Sequence, residues 1–270
     1  MTDAKLWDTH TLLSQPSSSS PNALIILNSP LPPQPLFRKL WTAASTRFCA
    51  DGGANRLFDR FVKGKRRAGD MDWDEELDGK EDDWLPDLIL GDLDSLREDA
   101  KGYYEEKGVT VERDPDEYST DLGKNVTRIA RLEEETKQPR QLVVIGGLSG
   151  RLDQTIHTLH ALWLLAEKEK RERVWVVGKE SAAVVLGKGK HYLRIDPSTF
   201  GKTCGILPLG HSEAFVTTTG LEWNLGPTAY MYPTSLATAV STSNHLAQED
   251  VTVETDVPVI WTMEVHGGAE

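Results

Sequence analysis

Short apolar runs alternate with helical patterns through the first two thirds of the chain. "ALIILN" comes first; "TRFCA" leads into "DGGANRLFDRFV", "DLILG" into a pair of aspartates, "VTVE" towards a helix and "QLVVIGG" into another, with "RVWVVG" following. In "STDLGKNVTRIARLEEE", Leu122, Val126, Ile129 and Leu132 recur at helical spacing, and Ser119 or Thr120 is placed to cap the start. Alternation of this kind predicts an α/β fold with a mostly parallel sheet. After about residue 180 the pattern changes to short β-rich runs, among them "AAVVLG", "HYLRI", "TCGILPLG", "EAFVTTTGLEW" and "VIWTMEV", bounded by Gly, Pro, Asn and Asp. These predict an antiparallel β-sandwich or barrel-like domain. The expected organisation is a flexible leader over 1–22 ending in the low-complexity "SQPSSSSPN", an N-terminal α/β domain over 23–179, and a C-terminal β-sandwich domain over 180–270. Residues 63–84 begin basic, turn acidic and show no hydrophobic period, which reads as a solvated insertion with Trp73 and Trp84 as its only anchors.

Composition narrows the function classes. The chain has 270 residues, enough for two domains with real cores, and its 39% hydrophobic and 27% charged content is globular. A formal net charge of −12 argues against nonspecific binding to nucleic acid or to an anionic membrane surface. Cys49 and Cys204 lie far apart with no metal-ligand spacing, so neither a disulfide framework nor a structural zinc site is expected. "ALIIL" is too short to span a bilayer, and the N-terminus has no basic region followed by a long apolar core. A cytoplasmic location follows as the expectation, and with it no glycan on the sequon at Asn125.

Four loops that follow predicted strands carry polar residues where an open α/β sheet places its ligands. Asp51-Gly52-Gly53 can turn tightly and bring backbone close to a ligand. Asp92 and Asp94 follow "DLILG" one residue apart, and while the chain stays extended their carboxylates point to the same side. Two readings of that pair stand open: a polar strand exit, or a cation site that relieves the repulsion. Asp121 sits in the first turn of a helix, where it also simply complements the helix dipole. "GGLSGRLDQT" offers Gly146, Gly147, Gly150, Arg151 and Asp153, a composition suited to phosphate, or else a Gly-rich turn with a surface arginine. No Walker loop is present: Gly201-Lys202-Thr203 lacks the glycine five residues before Gly201, where Asp196 stands. No G-x-G-x-x-G occurs. His157 and His160 share a helical face without an obvious third ligand. Trp223, in the loop-like "TGLEWNLG", is placed to stack on a cationic heteroaromatic ligand.

Taken together, "CADGGANRL", "LGDLDSL", "STDLGKNV", "GGLSGRLDQT", "TTTGLEWNL", "VSTSNHL" and "VTVETDVPVIWTMEV" resemble, in register from about Ala23 onward, the eukaryotic thiamine pyrophosphokinase family. The resemblance implies Mg2+-dependent transfer of pyrophosphate from ATP to thiamine, giving thiamine diphosphate and AMP, by a homodimer with shared active sites. It further implies that Asp92, Asp94 and Asp121 bind metal and act with Arg151 in catalysis. The ATP side falls on Asp51, Gly52, Gly53, Asn55, Gly147, Arg151, Asp153 and Gln154. The thiamine side falls on Trp223, Ser241, Ser243 and Asn244, with Glu117 standing where some relatives have glutamine. Two alternatives remain: a haloacid-dehalogenase-like Mg2+-dependent phosphatase, which "LILGDLDSL" also resembles, and a non-catalytic thiamine-binding protein.

Overall fold

The computed structural model describes residues 4–14, 21–63, 81–169, 171, 173–211, 214–226 and 241–267. Most of the expected insertion, 64–80, and most of the Ser-rich stretch, 15–20, lie outside the described residues. The chain divides into two compact units, Met1–Ser14 with Leu159–Trp175 and Glu180–Glu270, and Gln15–Thr158 with Val176–Lys179. Near the N-terminus the structure departs from the expected flexible leader. Lys5–Asp8 (β1) is a strand paired with residues 189–194, and Thr9–Leu13 (α1) follows, capped by Asp8, whose carboxylate accepts the His10 N–H at 2.9 Å. The cause is Trp7. Its ring is buried edge-on against Trp175 at 5.7 Å, and its indole N–H donates to His191 Nδ1 at 3.0 Å. A buried tryptophan with its donor satisfied outweighs the weak apolar pattern of four residues.

The α/β unit runs Asn22–Ile26 (β2), Gln34–Ala43 (α2), Ala44–Ala50 (β3), Gly53–Leu57 (α3), Leu88–Gly91 (β4), Glu98–Glu106 (α4), Thr110–Arg113 (β5), Asp121–Thr136 (α5) and Gln141–Ile145 (β6). Leu152–Glu167 (α6), which crosses the division at Leu159, and Val174–Val177 (β7) follow. Every residue of β2, β4 and β6 is buried, as strands covered on both faces require. Strand order is β7-β6-β2-β3-β4-β5, and the pairs from β6 to β5 are parallel. The chain thus steps outward from β2 to β5 and then returns to the opposite side of β2. The carboxyl ends of β2 and β6 form a topological switch point, where open sheets bind ligands. In α5, Leu122, Val126 and Ile129 are buried, and the Thr120 hydroxyl accepts the Gly123 N–H at 3.2 Å.

An aromatic cluster forms from residues that precede and follow 64–80 in sequence. Phe61, in a wide helical turn at Phe58–Val62, stacks on Trp84 with centroids 4.0 Å apart and planes 10° apart. Phe37 and Trp41 of α2 pack on the same pair, and the Trp41 indole donates to the Asp83 carbonyl at 2.9 Å.

The strand-rich unit holds Ser181–Leu186 (β8), Gly189–Arg194 (β9), Phe200–Leu207 (β10), Val216–Thr219 (β11), Ser241–His245 (β12), Asp250–Thr255 (β13) and Val259–Val265 (β14). Its strands follow the orders β1-β9-β13-β11 and β12-β10-β14-β8, antiparallel except for β1 with β9. Trp261, Phe200, Leu193, Val251 and Val253 are buried there, and buried positions alternate with more exposed ones along β9 and β13.

Phe61 and Trp84, on either side of 64–80 in sequence, stack on each other independently of that stretch. Replacing 64–80 with a short Gly/Ser linker is expected to leave Tm within about 3 °C and turnover within about tenfold, by thermal melt and activity assay. Trp84→Ala, by contrast, removes a buried stacked ring and is expected to cost about 3 to 5 kcal/mol in denaturant unfolding.

Candidate active site

The end of β4 is where the acidic residues converge. Gly91 leaves the room: a Cβ there would lie 2.7 Å from the Asp51 Cβ and 3.0 Å from Asp121 Oδ1. Asp51 leaves β3 with a positive φ of 45° and donates its N–H to the Leu90 carbonyl at 3.1 Å. Its side chain is buried; Oδ2 accepts the Ser95 N–H at 3.0 Å, and Oδ1 has no partner. One carboxylate oxygen each from Asp51, Asp92 and Asp121 lies within 4.8 Å of the others, the one such group of three potential metal ligands among the described residues.

This set is not the one drawn from the sequence. Leu93 has a positive φ of 65°, so the chain is not extended between Asp92 and Asp94, and the shared-side expectation does not apply. Asp94 Oδ1 accepts the Ser95 hydroxyl at 2.9 Å while its N–H donates to Asp92 Oδ1 at 3.2 Å. Asp51, assigned above to the nucleotide side, takes the place beside Asp92 and Asp121. Neither His157 nor His160 belongs to a ligand group among the described residues.

Electrostatics oppose this gathering. Burial pushes the Asp51 carboxyl above its ordinary range and the charges of Asp121, Asp92 and Asp94 add to that, with the Ser95 N–H pulling the other way. Asp121 is raised for the same reasons, burial first and then Asp92, with Lys124 opposing. A buried oxygen without a partner, held among further carboxylate oxygens, fits a hard divalent cation such as Mg2+.

Several supporting residues escaped the sequence reading. Lys124 has a buried side chain whose Nζ donates to the Asp114 carbonyl at 2.9 Å and lies 3.7 Å from Asp121 Oδ1. Asn125 is fully buried, donating to the carbonyls of Leu90 at 3.1 Å and Asp121 at 2.8 Å, which also rules out the sequon at this position in the folded chain. The one sequence signal was two polar residues interrupting the buried face of α5. Asn55 is spent on the loop after β4, donating to the Ser95 carbonyl at 2.8 Å and accepting the Arg97 N–H at 3.1 Å.

The glycine loops lie against the end of β2. A Cβ on Gly53 would sit 2.0 Å from the Ile26 carbonyl oxygen, and one on Gly52 2.4 Å from Asn28 Nδ2. Gly147, at φ 78°, has a left-handed backbone, and a side chain there would strike the Thr158 hydroxyl at 2.6 Å. Arg151 and Asp153 are exposed and pair through two bonds, Nε to Oδ1 at 3.1 Å and Nη2 to Oδ2 at 2.5 Å. Gln154 is exposed beside them, its carbonyl accepting the Thr158 hydroxyl at 3.0 Å. Glu117 is exposed in a loop shaped by two aspartates, where Asp114 accepts the Asp116 N–H and Asp116 accepts the N–H of the fully exposed Tyr118.

In the strand-rich unit, Trp223 is 43% exposed, and Asn244 is buried with its amide bonded to the Trp223 backbone. Ser241 and Ser243 lie on β12; Ser243 has a positive φ of 56° and lines a cavity of about 300 Å³ with Thr203, Cys204, Glu180 and Glu264. Cys49 and Cys204 are free thiols, both pushed up by burial and so unreactive.

The raised carboxyl groups have a pH signature. In the metal-free protein the folded state holds protons on Asp51 and Asp121 more tightly than the unfolded chain, so stability falls as pH rises above the ordinary carboxylate value of about 4. Added Mg2+ is expected to raise Tm, and to raise it more near pH 7.5 than near about pH 5. Asp51→Asn should raise the metal-free Tm at neutral pH while shrinking the Mg2+ shift. A Tm gain that ignores both pH and this substitution would contradict the assignment.

Comparison with known proteins matches both the α/β and the strand-rich parts of the chain. The family model "Thiamin pyrophosphokinase, catalytic domain" matches residues 37–176, and "Thiamin pyrophosphokinase, vitamin B1 binding domain" matches residues 190–260. Thiamine pyrophosphokinase 2 of Oryza sativa subsp. japonica is 32% identical over 259 residues, covering 94% of this chain and 91% of the rice protein. Thiamine pyrophosphokinase of Saccharomyces cerevisiae is 29% identical over 298 residues, covering 94% and 88%. The crystal structure of yeast thiamin pyrophosphokinase superposes with a TM-score of 0.75 at 28% identity over 97% of this chain and 91% of that one, and the structure of thiamin pyrophosphokinase from Candida albicans with 0.77 at 22% identity over 97% and 93%. No comparison supports a phosphatase or a non-catalytic binder. With both family domains matched in order and the acidic residues, glycine loops and Trp223 turn lying inside those matches, the chain belongs to the thiamin pyrophosphokinase family.

Proposed function

We propose that this chain transfers the pyrophosphoryl group of ATP to the hydroxyl of thiamine, giving thiamine diphosphate and AMP, with Mg2+ held by Asp92, Asp94 and Asp121 together with Asp51. The observation that carries the metal assignment is the buried, partnerless Asp51 Oδ1 grouped with Asp92 and Asp121 at the carboxyl ends of the parallel strands. When bound, Mg2+ neutralises and orients the triphosphate. Asp94 stays in the proposed set because its negative charge bears on Asp51 and Asp121. Arg151 grips phosphate oxygens through its fork, next to the close-approach backbone at Gly146 and Gly147. Gly52, Gly53, Asn55, Asp153 and Gln154 complete the nucleotide side by shaping or lining these loops.

In the reaction the thiamine hydroxyl oxygen forms a bond to the β-phosphorus while the bond from that phosphorus to the α–β bridging oxygen breaks. AMP leaves with that oxygen, and the hydroxyl proton passes to solvent or a carboxylate. A loose transition state needs little help from a base, so the chief task of these residues is alignment and charge. On the thiamine side, Trp223 stacks on the cationic ring system, Ser241 and Ser243 supply hydroxyls, and Glu117 meets the aminopyrimidine. We further propose a cytoplasmic homodimer whose sites are completed by the partner subunit. Free, buried cysteines and the net negative charge agree with the location, and no helix among the described residues is long and apolar enough to cross a membrane.

Incubation with ATP, Mg2+ and thiamine is expected to yield AMP and thiamine diphosphate one to one on chromatography. ADP and thiamine monophosphate as the stoichiometric products would overturn the reaction. Asp92→Asn is expected to lower kcat by about 100-fold or more while thiamine affinity changes by less than about threefold. Mixing inactive Asp92→Asn with inactive Trp223→Ala under verified subunit exchange should restore activity, because a mixed dimer then holds one site free of both changes. No recovery would refute shared sites.

A further inference from the structure

Asn244 does not have its amide available to a ligand in the way its place in a thiamine motif suggests. Its Oδ1 accepts the Trp223 N–H at 3.2 Å and the His245 N–H at 2.9 Å, and its Nδ2 donates to the Trp223 carbonyl at 2.8 Å. The side chain is buried, so both ends of the amide are committed inside the protein. One amide thus satisfies both backbone groups of Trp223, as a neighbouring strand would.

The local backbone is built to aim that amide. β12 pairs with β10 through Thr203 with His245 and Cys204 with Asn244, and then the register shifts before Ile206 meets Ser241. Ser243, in the left-handed region at φ 56°, sits at this irregularity. Bulges of this kind redirect the next side chain, and here the next side chain is Asn244, turned into the buried side beneath the Trp223 turn. The turn is tied down independently. Asn224 Oδ1 accepts the Leu221 N–H at 3.1 Å, Thr218 Oγ1 accepts the Leu225 N–H at 2.8 Å, and Glu222 donates its N–H to the His245 carbonyl at 2.8 Å. The His245 ring flanks the indole, with centroids 5.4 Å apart and planes 43° apart, and its Nδ1 lies 3.0 Å from Glu222 Oε2. Trp223 alone of this group presents a large apolar surface outward, 43% exposed.

We propose that Asn244 is a positioning residue: it fixes the Trp223 backbone so that the indole stands ready as a rigid stacking surface for the cationic ring of the substrate, and it makes no contact with the substrate itself. The exposed indole then loses little freedom when a ring stacks on it, which is where a preorganised contact gains affinity. This inference rests on the thiamine reading of the Trp223 turn.

The test is a double-mutant cycle read by equilibrium binding of thiamine and by steady-state kinetics, on the full-length protein. Asn244→Ala is expected to weaken thiamine binding roughly tenfold and to raise KM more than it lowers kcat. In a Trp223→Ala background the same substitution is expected to have less than about a twofold further effect on thiamine binding, because it acts only through the indole. Asn244→Asp, isosteric but repelling the Trp223 carbonyl, serves if the alanine variant fails to fold and should give the same loss and the same non-additivity. Equal losses in both backgrounds would mean direct contact of Asn244 with thiamine and would overturn the positioning role while leaving the thiamine reading intact. If Trp223→Ala leaves thiamine binding unchanged, the thiamine reading of this turn fails and the inference with it.

Discussion

A carboxylate buried beside two others is the constraint around which the α/β unit is organised. Asp51 would be unfavourable at its position if nothing offset burial and like charge, and the neighbouring residues are those that make the position tolerable. Gly91 removes the side chain that would collide with Asp51 and Asp121, and Leu93 adopts a backbone that bulky residues avoid. Ser95 offers its N–H to one oxygen, and Lys124 brings a buried positive charge close to Asp121. A strained backbone, a bare glycine and a buried lysine gathered around three acids are the surroundings that the proposed cation site calls for.

Three asparagines extend the same logic to the rest of the molecule. Asn55, Asn125 and Asn244 are all buried, and each uses its amide on backbone groups of other segments. Asn55 joins α3 to the loop after β4, Asn125 joins α5 to the end of β4, and Asn244 joins β12 to the Trp223 turn. A side-chain amide carries the same donor and acceptor as a peptide group, so it serves where an irregular loop has no strand beside it to complete its bonding.

The fold was legible because its signals are local. Nearly continuous apolar runs in β2, β4 and β6 announce a covered parallel sheet, and short β-rich runs bounded by turn residues announce the strand-rich unit. The leader was misjudged because β1 depends on Trp7 finding His191, a partner 184 residues away that no local pattern encodes. The acidic residues after β3 and β4 and at the start of α5 stand out in the sequence, whereas which of their carboxylates come together does not. Extended geometry would set Asp92 and Asp94 on one side, but Leu93 is left-handed, and the carboxylate oxygen that lies with those of Asp92 and Asp121 comes from Asp51 after β3. Asn244 was read as a contact because of its motif, and only the hydrogen bonds reveal that its amide is occupied. Lys124 and Asn125 went unread because a polar residue on a helix face looks solvated until its burial is known.

The exposed pair of Arg151 and Asp153 bears on anion exchange at the arginine. The arginine fork is already engaged by a carboxylate two residues away through two hydrogen bonds. Any anion that takes the fork must first displace that internal rival. In the proposed phosphate role, a phosphate reaching Arg151 exchanges with a carboxylate already on the fork, and because both side chains are exposed that exchange costs little.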